Sequence, residues 1–157
     1  MIFMKTRLCY WFWFYLPPIA YMVAIFSVSA MSNPTFQGET PDYVLHALEY
    51  FLLALLLIRL LLARRLPEHD QTAWLRLCLL GAGIAIAYGL CDELHQYFVP
   101  GRHCSLHDVA ADSFGALLAC GAGWLDYFLK LPRRAAIQRM LSPLRSLSYS
   151  AYQREPF

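Results

Sequence analysis

The chain has 157 residues, 59% of them hydrophobic and only 15% charged. One soluble domain of this size cannot bury so much apolar surface, because soluble domains run nearer roughly 45–50% apolar and about 25% charged. A formal net charge of +2 gives no basis for binding nucleic acid, which draws its affinity from a basic excess. The expectation is an all-α integral membrane bundle.

The first apolar run covers about 8–30. Lys5 and Arg7 precede it, and Val28-Ser29-Ala30 has the small residues of a signal-peptide cleavage site. The run is nevertheless longer than the roughly 7–15 residues of a signal h-region. It is therefore read as a retained helix, in which Pro17-Pro18 is tolerated as a kink. The stretch Tyr10-Trp11-Phe12-Trp13-Phe14-Tyr15 reads as an interfacial aromatic belt.

A short polar loop, 32–39, leads to a second helix over about 42–63. Thr40-Pro41-Asp42 supplies a cap, a first-turn proline and an acidic residue. The third helix, about 74–96, is apolar from Trp74 to Leu90 and ends in Asp92, Glu93, His95 and Gln96. Val99-Pro100-Gly101 then imposes a turn. The fourth, about 107–131, opens on Ser105-Leu106-His107-Asp108, which has the form of a capping box. Each run is near the length that crosses roughly 30 Å of hydrocarbon. The organisation expected is a four-helix membrane domain, 1–132, and a basic tail, 133–157, in which 133–140 forms an amphipathic turn or two before Ser142-Pro143. Such a tail suits anionic lipid.

With four spans, one side receives Lys5, Arg7, Arg59, Arg64, Arg65, Arg76, Lys130, Arg133, Arg134, Arg139, Arg145 and Arg154, and only Arg102 falls opposite. By the positive-inside rule both termini are cytoplasmic. The five cysteines, Cys9, Cys78, Cys91, Cys104 and Cys120, form no CxxC pair. Cys91 and Cys104 are close enough to the outer face to pair there, but all five are read as separate apolar fillers.

The outward helix ends carry the unusual chemistry. Asp42, His46 and Glu49 share one face of helix two by spacings of four and three. Asp92, Glu93, His95 and Gln96 close helix three, Arg102 and His103 follow, and His107, Asp108 and Asp112 open helix four. Small-residue stripes, Gly81-Ala85-Gly89 on helix three and Ala111-Gly115-Ala119-Gly123 on helix four, allow close backbone approach. If they face each other, Glu93 and Asp112 meet, and a proton, a cation, a histidine or Arg102 must separate the two carboxylates.

These residues carry a resemblance. Asp42-x-x-x-His46, then Asp92-Glu93-Leu94-His95-Gln96-Tyr97-Phe98-Val99-Pro100-Gly101-Arg102, then Ser105-x-x-Asp108-Val109-Ala110-Ala111-Asp112-x-x-Gly115 resembles the VanZ-like family over about 25–123. Ser27, Ser29 and Ser32 also fit its pattern. Two positions depart: Tyr43 stands where the family usually has lysine, and Asp112 where it usually has asparagine. The resemblance implies a small multi-pass protein of the bacterial inner membrane. It also implies a connection to the cell envelope and to the teicoplanin-type glycopeptide resistance of the name-giving member.

The expected site combines Asp42, His46, Asp92, Gln96 and Arg102 as ligand-binding residues with Glu93, His95, Asp108 and Asp112 as candidates for acid–base chemistry. Arg102 suits the phosphate of a lipid or lipid-linked envelope intermediate, aided by the amides opening helix four. An ion pair with Glu93, Asp108 or Asp112, holding the helices in register, ranks ahead of that role, as the usual fate of intramembrane charge. His46, His95, Asp108 and Asp112 are metal-ligand types, but they show no HExxH or similar tight spacing, so no metal or other cofactor is expected. Ser105 has a capping role and no GxSxG around it. The alternatives are a non-catalytic scaffold, a partner subunit or homo-oligomer stapled by these charges, or a permease. The permease is ranked last because its polar groups would belong near the midplane.

Overall fold

The computed structural model describes residues 10–32, 41–64, 70–102 and 104–152, with side chains as far as Lys130 except at Arg64. Lys5, Arg7, Cys9, Thr40, Arg65, His69, His103, Arg154, most of the 32–39 loop and the side chains of the basic tail therefore lie outside the described residues. The chain divides into two compact units after Trp124.

Among the described residues all regular structure is helical. Helix α1 spans Leu16–Ser29 and continues from a π-helical turn, Trp11–Tyr15. The wide turn has a local cause. Pro17 and Pro18 have no N–H to give, and their rings crowd the preceding turn. Leu16 accordingly donates back five residues, to the Trp11 carbonyl. Helix α2 spans Asp42–Arg64, α3 spans Gln71–Gln96, and α4 spans Leu106–Tyr152.

Three boundaries differ from the sequence reading. Pro41 precedes α2 and accepts from the Val44 amide (3.0 Å), so it stands in the cap position and not in the first turn. Helix α3 starts earlier because Asp70 caps it, with Oδ1 accepting from the Ala73 amide at 3.0 Å. Helix α4 does not stop near 131; it continues through Pro132 and Pro143. Arg133-Arg134-Ala135-Ala136-Ile137-Gln138-Arg139-Met140 consists almost entirely of strong helix formers, which outweighs the two lost amides. In the second unit, Lys130 pairs with Asp126 one turn away on the exposed surface.

The first unit buries many small residues along with Tyr50, Leu53, Leu57, Ile58 and Trp74, and leaves many large apolar residues exposed. Ala54, Cys78, Ala82, Ala85, Ala116, Ala119 and Cys120 are buried, whereas Phe26, Leu48, Leu52, Leu79, Leu80, Leu90, Phe114, Leu117 and Leu118 are exposed. Exposed large apolar faces over small buried residues suit helices that meet lipid and gain stability from close backbone packing. Trp11–Ser29, Asp42–Ala63 and Gln71–Gln96 are long and apolar enough to cross a membrane. Trp11, Phe12 and Trp13 are exposed, and the Arg59 guanidinium lies 4.9 Å from the Phe14 ring centroid, tying the π-helical turn to the far end of α2.

The two small-residue stripes do not simply face each other; α2 enters between their neighbours. A Cβ at Gly115 would lie 1.9 Å from the Ala47 carbonyl oxygen, and one at Gly81 would lie 2.6 Å from Ile58. At Gly123 it would contact both Cys78 and Ile58. The Trp74 indole N–H closes the α3–α4 contact by donating to the Gly123 carbonyl (2.9 Å). Cys78 and Cys120 are buried fillers, but Cys91 and Cys104 are free and exposed, and so neither a disulfide nor a pair of fillers.

Gly115→Ala is expected to destabilise the protein by about 1–3 kcal/mol, the range for overpacking against a neighbour that cannot move freely. Gly121→Ala meets open space and should cost nothing, as helix propensity favours alanine. Thermal unfolding of both variants in mild detergent checks the contrast.

Candidate functional site

The C-terminal ends of α1 and α3 and the N-terminal ends of α2 and α4 lie together. The turn after α3 makes this possible. Val99-Pro100-Gly101-Arg102 is closed by the Arg102 amide donating to the Val99 carbonyl (3.1 Å), with Gly101 at φ 81°. Proline and then glycine with positive φ are what a type II turn requires. A side chain at 101 would also meet the Ser32 carbonyl at 3.0 Å, so the turn packs directly on the chain leaving α1.

His46, Glu93 and Asp112 are brought together from three helices, with one donor atom from each lying within 4.8 Å of the others. His46 Nδ1 is 3.0 Å from Asp112 Oδ1. The histidine is thus one of the groups expected beside the two carboxylates, in direct contact with Asp112. Asp42 and Asp108 form a second group around the same His46, nearer the surface.

The start of α4 is capped in an unexpected way. Ser105 Oγ accepts from the His107 and Asp108 amides at 3.2 and 3.4 Å, as a cap does. A capping box would return the Ser105 amide to Asp108. Instead that amide donates to Glu93 Oε2 at 2.9 Å. A carboxylate from α3 thus completes the cap of α4, and Asp108 is released to face His46.

The other candidates separate from this triad. Asp92 Oδ2 accepts from Gln96 Nε2 at 3.2 Å, one turn on, and both residues are buried. His95 points elsewhere: its ring stacks on Phe26 of α1 with centroids 4.5 Å apart. Arg102 is half-buried, lies within electrostatic range of Glu49, and among the described residues makes no ion pair. Its Nε is buried without a hydrogen-bond partner.

Tyr50 is a site residue that the sequence reading misses. It is 1% exposed with an unpartnered hydroxyl, and its ring edge and Asp112 Oδ2 would each lie 3.0 Å from a Cβ at Gly89. The signal is present, since Asp42, His46, Glu49 and Tyr50 follow the i, i+4, i+7, i+8 stripe of one helix face. Ser29, at the end of α1, is likewise buried with a free hydroxyl.

Next to Asp42 and Asp108 in the chain, α2 and α4 form an open apolar groove of about 340 Å³, lined by Tyr43, Val44, Ala47, His107, Ala110, Ala111 and Phe114. Tyr43 stands at the position where the resemblance leads one to expect lysine, so the groove wall is aromatic there and not cationic.

An all-helical unit with three helices of membrane-crossing length and a buried acid–histidine cluster at one end defines the class. The family model VanZ/LLP1 matches residues 12–127, well over half the chain, and the protein belongs to that family. No curated protein and no solved structure matches it.

Glu93→Ala removes the acceptor that completes the α4 cap, and should cost about 1.5–3 kcal/mol, the range for a hydrogen bond to a charged group. Asp108→Asn should cost less than about 1 kcal/mol, the usual scale of a first-turn charge. Chemical denaturation in detergent separates the two, and equal losses would restore the ordinary capping box.

Proposed function

We propose that this VanZ-family protein is a multi-pass protein of the bacterial inner membrane. Four helices cross it, both termini are cytoplasmic, and the polar end opens at the outer leaflet. There it binds, and through its carboxylates and histidines modifies, a lipid or lipid-linked envelope intermediate. The observation carrying this reading is the combination of a partly buried arginine with a free Nε and an apolar groove beside the polar group. A guanidinium of this kind suits a phosphate, and a groove on helices of membrane-crossing length suits an acyl or isoprenoid chain.

The test is native mass spectrometry of the protein in mild detergent. Wild type should retain a phosphate-bearing lipid. Arg102→Ala should lose it, and Ala110→Trp, which fills the groove from an exposed position, should weaken retention with folding intact. Equal retention by both variants would reject the reading. Topology is checked on Cys104, which is exposed: a membrane-impermeant thiol reagent should label it from the periplasmic side. The link to teicoplanin-type resistance rests on family membership alone and is tested by comparing drug susceptibility with and without the gene.

A second reading has its own support. The His46–Asp112 and Glu93–Ser105 bonds join α2, α3 and α4, as they would in a non-catalytic scaffold, partner subunit or homo-oligomer. That reading expects a stoichiometric membrane partner on copurification, and charge variants that lose stability without loss of any ligand.

A further inference from the structure

We infer that His46, Glu93 and Asp112 form a binding site for a divalent transition-metal cation, zinc or manganese. One imidazole nitrogen and two carboxylate oxygens from three helices lie within 4.8 Å of one another. Ligands about 2.0–2.2 Å from a tetrahedral zinc sit about 3.4 Å apart, so small side-chain rotations close the set. The cation takes the place of the proton in the 3.0 Å His46–Asp112 bond.

A second observation points to a ligand. Glu93 and Asp112 are 2% and 1% exposed, yet Glu93 Oε1 and Asp112 Oδ2 have no hydrogen-bond partner among the described residues. Buried carboxylate oxygens are costly unless partnered, and each belongs to a side chain whose other oxygen is already fixed. Glu93 Oε2 is held by the Ser105 amide and Asp112 Oδ1 by His46. The Ser105 amide is an outer partner of the kind that orients a metal ligand, whereas His46 passes from the Asp112 proton to the cation. Gly89 keeps space beside Asp112 Oδ2, where a Cβ would crowd it at 3.0 Å.

Charge balance agrees. Asp42, Glu49, Asp92, Glu93, Asp108 and Asp112 gather at this end, and Arg102, the lone Lys or Arg there among the described residues, pairs with none of them. Mixed imidazole and carboxylate donors favour zinc or manganese over calcium or magnesium, which prefer oxygen alone. Three protein ligands leave a coordination position open for water or a phosphate oxygen. The site stands on its own residues, and only its use in holding a lipid phosphate rests on the function proposed above.

The test uses the full chain in mild detergent, stripped with chelator and dialysed against zinc or manganese alone. Elemental mass spectrometry should count one ion per chain. His46→Gln and Asp112→Asn should weaken binding at least tenfold, and Asp126→Asn should not. Folded variants that bind like wild type, or a wild type that retains no ion, overturn the site. Because those variants remove buried groups, X-ray absorption of the zinc-loaded wild type gives a second decision. A shell of oxygens with one imidazole supports the site; sulfur, no imidazole or more than one imidazole overturns it. Lipid retained by metal-free protein that binds no ion would remove this inference and leave the lipid reading intact.

Discussion

Ionisable groups buried among packed apolar helices must find partners within the protein, because neither the packed interior nor hydrocarbon offers any. In this chain that constraint falls on Glu93 and Asp112, which are almost fully buried. One is held by the Ser105 amide and the other by His46, so each partner comes from a different helix. The polar end is therefore both a potential site and the place where α2, α3 and α4 are locked in register. His46, Glu93 and Asp112 thus serve the candidate site and the helix register at once.

The rest of the first unit serves that arrangement. Without glycine at 115 the α2 backbone could not come so near α4, and His46 could not reach Asp112. Without the Pro100-Gly101 turn, α4 could not begin beside the last turn of α3, where Glu93 completes its cap. The exposed Leu and Phe residues on the outer faces need no protein partner if lipid covers them. That leaves small residues to set the helix spacing.

Much of this arrangement is legible in the amino-acid sequence. Helical periodicity places Asp42, His46 and Glu49 on one face, and Glu93 and Asp112 do come together, although the stripes that predict it pack largely on α2. What the sequence does not reveal depends on relations between segments. That α2 packs against both stripes follows from Ala47 and Ile58, ordinary apolar residues with no distinctive pattern. The cap exchange is hidden because Ser105-x-x-Asp108 satisfies the local rule, while Glu93 competes from another helix. Proximity along the chain groups His95 with its neighbours, yet each residue of helix rotates a side chain by about 100°, so the two steps from Glu93 carry His95 about 200° round, away from Asp112 and onto Phe26. The continuation of α4 past Pro132 is masked because proline ordinarily stops a helix.

The central claim is that a buried histidine–carboxylate contact joins α2 to α4. A double-mutant cycle on His46→Gln and Asp112→Asn, read by unfolding free energy in detergent, tests it directly. The account requires a coupling of about 1–3 kcal/mol, as for residues in direct contact. Effects that add to within about 0.5 kcal/mol, as distant sites do, would contradict it.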